Sequence, residues 1–311
     1  MTGDLNNPIF HDEAKAREHF EAIRWPQGPI CPHCGAVDRA TSIQGATSRP
    51  GLYQCNACRQ PFSVTVGTVM ERSHIPLNKW AAGFHLMASS KKGVSAHQLH
   101  RMLGITYKSA WFMAHRIREA MTRDAGAPPT GQGAKTVEID ETYYGTDKAI
   151  PRPKRGPKNK LKIVSLVERG GDVRSFHVEE ASRVEVTKIM FANVDRNATL
   201  MTDESSIYKG VARYVGRHEK VNHEKGEYVS AADPSIHTNT IEGYFSIFKR
   251  GMKGVYQHCG KQHLHRYLTE FDFRYSNRAK LGVSDIVRTE RAIKGAAGKR
   301  LTYNQSRAAQ V

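Results

Sequence analysis

Two groups of residues have the types and spacing to do chemistry. Cys31-Pro-His-Cys34 and Cys55-Asn-Ala-Cys58 are C-x2-C pairs separated by 20 residues. Each pair forms a short knuckle with both thiolates on one side of a turn, and two knuckles complete a tetrahedral zinc site. Four thiolates leave no open coordination position, so such a zinc folds its module and does not catalyse. His33, inside the first knuckle, is surplus to that tetrahedron, and a redox dithiol would need only one pair. The second group is acidic. Asp140 closes the segment TVEID, Asp203 closes ATLMTD, and Glu242 lies in HTNTIEGYFSIFKRGMKG. Carboxylates from two strand ends and a helix can hold hard divalent ions such as Mg²⁺ or Mn²⁺. Two such ions about 3.5–4 Å apart activate an attacking oxygen and stabilise a leaving one.

Taken singly, these acids say little. A strand-end Asp commonly closes a turn, and a Glu in the first turn of a helix complements the helix dipole. Glu138, Glu141, Glu204 and Asp233 are nearby acids of the same types. Glu138 shares a strand face with Asp140, and pattern alone leaves the choice between those two open.

The elements that must position these groups can be read from periodicity. Strands at 52–54 and 62–66 would form a small sheet between the knuckles. After Pro76, apolar residues at Leu77, Trp80, Ala81, Phe84 and Met87 give a helical period. Ser95 can cap a short helix through Met102, Gly104 makes a turn, and Thr106 caps a longer helix through about Met121. This spacing fits a helix-turn-helix, with Trp111, Phe112 and Ile117 expected inside and Tyr107, Lys108, Arg116 and Arg118 expected outside, facing DNA. An ordinary helical hairpin is the alternative. The Gly/Pro-rich segment 124–135 reads as a linker. Three strands (136–140, 161–167 and 173–178), a helix (182–193), a strand (198–203) and a long helix (238–256) then give a mixed α/β layout. On that last helix Asn239, Glu242 and Lys249 share one face.

The chain has 47 Lys and Arg against 30 Asp and Glu, a net charge of +17 over 311 residues, which favours a polyanionic partner. The basic segment 148–162 reads either as a solvated loop or as an arm along a phosphate backbone. Neither an amphipathic membrane-surface segment nor an apolar run long enough to span a bilayer is seen. The first residues lack a secretory layout, so a cytoplasmic, nucleoid-associated protein is expected.

YQCNACRQPFSVTVGTVMERSHIPLNKW, IDETYYG, MTDESSIY and HTNTIEGYFSIFKR occur in that order, and over roughly 26–278 the chain resembles the bacterial insertion-sequence DDE transposases of the ISXO-type group. These join an N-terminal zinc ribbon to a catalytic core. The resemblance implies an RNase H-like mixed-sheet domain with Asp140, Asp203 and Glu242 as the catalytic Mg²⁺ (or Mn²⁺) ligands. It places His237, Asn239 and Lys249 in accessory roles; Arg250 lies beside them, and Lys108 and Arg116 are the DNA-contacting candidates from the helix-turn-helix reading. The expected layout is an N-terminal helix and ribbon at 1–70, helix-turn-helix at 71–123 and catalytic domain at 136–280; beyond Asn277 the resemblance fades, and the polar, basic 281–311 reads as a loose C-terminal helix and tail. The implied reaction nicks the element's ends and joins them to target double-stranded DNA, within a homodimer or larger oligomer. An inactive DNA-binding regulator and a structure-specific nuclease of the same fold are the rival readings.

Overall fold

The computed structural model describes residues 5–45, 47–154, 156–221, 229–230 and 233–302. The chain divides into two compact units, Met1–Thr122 with Gly282–Val311, and Arg123–Leu281.

In the first unit, Asp12 caps helix α1 (Glu13–Arg24), its Oδ1 accepting the amides of Ala14 at 2.7 Å and Lys15 at 3.1 Å. An antiparallel sheet follows, formed by β1 (Ala40–Ser42), β2 (Tyr53–Cys55) and β3 (Pro61–Phe62). So small a sheet has little core of its own. The rings of Trp25, Tyr53 and Phe62 supply one, with centroids 5.7–5.8 Å apart.

Helix α2 (Leu77–Ser89) buries Trp80, Phe84 and Met87. Ser95 caps α3 (Ala96–Leu103) by accepting the Gln98 amide. Gly104, at φ 59°, ends α3 in the left-handed conformation that favours glycine, and Thr106 caps α4 (Tyr107–Ala120). This is the helix-turn-helix arrangement expected from the sequence.

The buried face of α4 differs from the expectation. Ala110, Met113, Ala114, Ile117 and Ala120 pack inward, while Trp111 and Phe112 are only half-buried. The inward set follows i, i+3, i+4, i+7 spacing from Ala110, the stripe that one helical face permits. Arg118, expected outside, is 2 % exposed. At Gly83 of α2 an added Cβ would lie 2.8 Å from Met113 Sδ, so the Met113 side chain would have to shift to admit one.

The second unit is built on five strands. β4 (Thr136–Tyr144), β5 (Leu161–Glu168) and β6 (Val173–Val178) form an antiparallel meander, with Gly170 at φ 70° in its second turn. Helix α5 (Arg183–Asn193), capped by Ser182, carries the chain back so that β7 (Thr199–Asp203) pairs parallel to β4, and β8 (Arg217–Val221) pairs parallel to β7. The order β6-β5-β4-β7-β8 is the mixed sheet of an RNase H-like fold.

Both faces of this sheet are covered. On one, Val137, Ile139 and Leu200 pack with Val186, Ile189 and Met190 of α5 and with Tyr208. On the other, Ile163 and Val167 pack with Ile241, Tyr244, Phe245 and Phe248 of α6 (Asn239–Gly251) and with Leu268 and Phe271 of α7 (Leu264–Ser276). After Gly251, α6 runs into a wider π turn over Met252–Tyr256. A buried polar knot fixes these helices: Tyr244 Oη donates to Asp272 at 2.5 Å, and the Ser175 amide and hydroxyl each donate to the same carboxylate at 2.7 Å.

Residues 282–302 supply helix α8 (Asp285–Lys294) to the first unit, where it packs on α1, α2 and α4. Arg288 donates to the Ala88 carbonyl at 3.1 Å, and Thr289 pairs with His85 Nδ1 at 3.2 Å. A loose C-terminal helix is expected here from the polar, basic sequence; α8 is instead packed, burying Ala292 and Ile293. Among the described residues no helix is long and apolar enough to cross a membrane.

Candidate metal centres

All four ribbon cysteines converge, their sulfurs lying within 4.8 Å of one another. Cys31 and Cys58 Sγ are 3.7 Å apart, as are Cys34 and Cys55 Sγ. A tetrahedron with Zn–S bonds of about 2.3 Å has edges of about 3.8 Å, so the sulfurs already stand at zinc-ligand spacing. A disulfide would need about 2.05 Å, and all four are free thiols. The knuckles sit at Gly35 (φ 74°) and Arg59 (φ 62°), each closing a turn whose amide returns to the first cysteine's carbonyl. His33 Nε2 lies 3.3 Å from the Pro61 carbonyl and takes no part in the cluster.

The acidic site forms where β4 parts from β7. Their parallel ladder runs Thr136–Thr199, Val137–Leu200 and Glu138–Met201, then ends. The same offset sets Asp140 level with Asp203, so the two acids stand at the mouth of the separation, beyond the last paired residues. Asp140 therefore does not end its strand, as TVEID had suggested; β4 continues to Tyr144 against β5. Such crevices at the carboxyl ends of parallel strands are where α/β folds gather ligands.

Negative charge is concentrated there. Burial pushes the Asp140 carboxyl up to about 8; the charge of Glu141 adds to this, as do those of Asp203 and Glu242. The Glu141 amide, donating to Asp140 Oδ1 at 2.7 Å, only partly offsets the rise. No cation is among the largest influences on this group. An acid held at such cost beside three others fits a site completed by a bound cation. The oxygen donors suit a hard dication. Even so, among the described residues only the cysteines form a cluster within 4.8 Å, so the three carboxylates are set more widely than ligands of a single ion. Asp203 Oδ1 is steadied by the Ser205 amide at 3.0 Å.

Two decoys resolve. Glu141 points to the α5 face, where its Oε2 accepts the Tyr208 hydroxyl at 2.6 Å. Glu138, fully buried, has both oxygens committed. Oε1 accepts Arg169 Nε at 2.6 Å, and Oε2 accepts the Ile241 amide at 2.8 Å, one residue before Glu242. Arg169 also donates to the carbonyls of Ser235 and His237, both at 2.6 Å. Sequence reading had not singled out Arg169. Its only signal was a position just past β5, at the end of the strand beside β4.

His237 sits in this network rather than with Asp140. Its Nδ1 accepts from Arg169 Nη2 at 3.1 Å and from the Asn239 amide at 3.3 Å, so its proton is on Nε2. Burial and then the charge of Arg169 lower its pKa, in keeping with a neutral ring. Glu242 is half-buried on α6, while Asn239, Lys249 and Arg250 are exposed.

On the helix-turn-helix, Lys108 and Tyr107 are exposed at the start of α4, and Tyr107 stacks on His97 of α3 at 4.3 Å. Arg116 is placed differently from the expected DNA-facing position. It packs over the Phe112 ring at 4.5 Å and donates to the carbonyls of Glu71 at 3.1 Å and Leu301 at 3.3 Å. Those backbone acceptors, far off in sequence, turn it inward.

Residues 132–276 match the ISXO2-like transposase domain, and residues 11–61 match the transposase zinc-ribbon domain. Over 285 residues the chain is 29 % identical to a protein in transposable element ISH50 of Halobacterium salinarum, covering 85 % of this chain and 91 % of that one. The four-cysteine cluster lies within the matched ribbon.

Two outcomes are expected. Elemental analysis of the purified chain should find about one zinc per chain, and Cys55→Ser should remove it together with the ordered amide signals of the ribbon. Retention of zinc by the variant would contradict the four-thiolate site. At Asp140 a carboxyl pushed up to about 8 carries a proton at neutral pH in the metal-free protein. A dication must displace that proton, so Mn²⁺ affinity should rise with pH and level off above about 8. Because the folded pKa lies above the unfolded one, this group lowers metal-free stability progressively as pH rises from about 4 to about 8. Mn²⁺ titrations followed by electron paramagnetic resonance at several pH values test this; a flat profile would contradict it.

Proposed function

Because the chain belongs to the insertion-sequence transposases that join a zinc ribbon to an ISXO2-like transposase domain, we propose that it is an active DDE enzyme working with Mg²⁺ or Mn²⁺. It recognises the ends of its own element, hydrolyses the phosphodiester at each 3′ end, and joins the freed hydroxyl to target DNA. The observation that carries this reading is the meeting of Asp140 and Asp203 where β4 and β7 separate, with Glu242 close enough to raise Asp140's pKa.

Asp140, Asp203 and Glu242 are the residues that would hold the ions. The ions, when bound, would activate the attacking oxygen and stabilise the leaving one. The protein's part is to keep the three carboxylates fixed in place, Asp140 giving up its proton when the ions bind. In the first step water adds to the terminal phosphorus and the bond to the 3′ oxygen breaks, leaving a 3′-hydroxyl and a 5′-phosphate. In the second step that hydroxyl attacks a target phosphodiester, one P–O bond replacing another. No covalent protein–DNA bond is needed, so Tyr143, Tyr144 and Tyr208 need not act as nucleophiles.

The ribbon and the α3–α4 pair read the ends, with Lys108 and Tyr107 on the exposed side. Lys249 and Arg250, exposed on the helix that carries Glu242, are suited to phosphate contacts. The basic segment 148–162 adds charge along the backbone. Holding two ends at once calls for a homodimer or a larger oligomer on nucleoid DNA.

The test uses a plasmid carrying the element's ends, with Mg²⁺ or Mn²⁺. The wild type should nick both ends. Asp203→Asn should bind them with unchanged affinity and cut at least about 100-fold more slowly, since one ligand to the ions is lost. Binding without cutting by both proteins would instead identify a DNA-binding regulator derived from a transposase.

A further inference from the structure

We infer that Glu138 and Arg169 are positioning residues that set the distance between Asp140 and Glu242; this rests on the catalytic triad proposed above. Glu138 lies two residues before Asp140 on β4 and faces the same side of the sheet. Its Oε2 holds the Ile241 amide at 2.8 Å, and Ile241 is followed immediately by Glu242. One side chain therefore ties the strand bearing one proposed ligand to the helical turn bearing another.

The link has two features that an incidental contact would lack. The Ile241 amide belongs to the first turn of α6, where no backbone acceptor is available, and Thr238 offers no side-chain cap there. The carboxylate thus replaces the missing cap and adds its negative charge to the positive end of the helix dipole. Glu138 is in turn prevented from rotating. It is fully buried, and Arg169 Nε holds Oε1 at 2.6 Å.

The other nitrogens of Arg169 grip the Ser235 and His237 carbonyls at 2.6 Å, fixing the chain that enters α6. A planar guanidinium can engage a carboxylate and two carbonyls at once; a lysine ammonium cannot match that fork. Because both Glu138 oxygens are occupied within the protein, its role is to position other residues, and it is not itself a ligand.

The experiment measures end cleavage and direct Mn²⁺ binding on the full chain for Glu138→Gln and Arg169→Lys, with thermal unfolding alongside. Glu242→Gln serves as the reference for loss of a ligand. A positioning role predicts that the folded variants need about 10- to 100-fold more Mn²⁺ for half-maximal cleavage, the range typical of lost outer contacts. Excess Mn²⁺ should restore much of the maximal rate. A role confined to stability would lower the unfolding temperature and leave the half-saturating Mn²⁺ concentration unchanged, which would overturn the inference. If Glu138→Gln does not fold, Arg169→Lys decides by the same reading. Unchanged Mn²⁺ binding by Glu242→Gln would defeat the triad and this inference together. A weakened Glu242→Gln beside an unaffected Glu138→Gln would defeat the inference alone.

Discussion

Carboxylates at the same end of adjacent parallel strands repel one another, and the second unit must hold Asp140 and Asp203 together against that repulsion. It does so with backbone. The β4–β7 ladder is zipped up to Glu138 and Met201 and then released, so both acids are fixed by strands whose hydrogen bonds lie just behind them. The cost appears at Asp140, whose carboxyl rises to about 8 under burial and neighbouring charge. In water such a cluster would separate or take up counterions; within the sheet its remaining outlet is to keep a proton or accept a cation.

For the proposed site, Glu242 must then be brought to the same edge from another layer. The sheet's second face does this by burying Tyr244, Phe245 and Phe248 against Ile163 and Val167, which fixes how α6 lies on the sheet. The Tyr244–Asp272–Ser175 knot holds the middle of the helix, and Glu138 with Arg169 holds its first turn. Apolar packing sets the layer, while directional hydrogen bonds set the register along it. A metal site needs both, because packing alone tolerates shifts that would spoil ligand geometry.

How much of this the sequence revealed depends on how local each signal was. The ribbon was fully legible: the ligands occur in two tetrapeptides, and their sulfurs meet at zinc-ligand spacing. The helix caps at Ser95 and Thr106 and the Gly104 turn were legible for the same reason. Glu138 and Asp140 could not be separated by pattern, since what distinguishes them is Arg169 across a hairpin and an amide 103 residues away. Arg116 and Arg118 were misplaced because long side chains bury their stems readily, and the carbonyls that hold Arg116 come from Glu71 and Leu301. The same distance hid the packing of α8, which the sequence offers only as a loose C-terminal helix.

The central claim is that Asp140, Asp203 and Glu242 form one ion-binding site. Crystals of the full chain grown with Mn²⁺ test it most directly, through anomalous diffraction from the bound metal. The account predicts a peak within bonding distance of Asp140 and Asp203 and adjoining Glu242, with Glu138 still paired to Arg169. A peak on Glu138 or Glu141, or none in the crevice between β4 and β7, would contradict it.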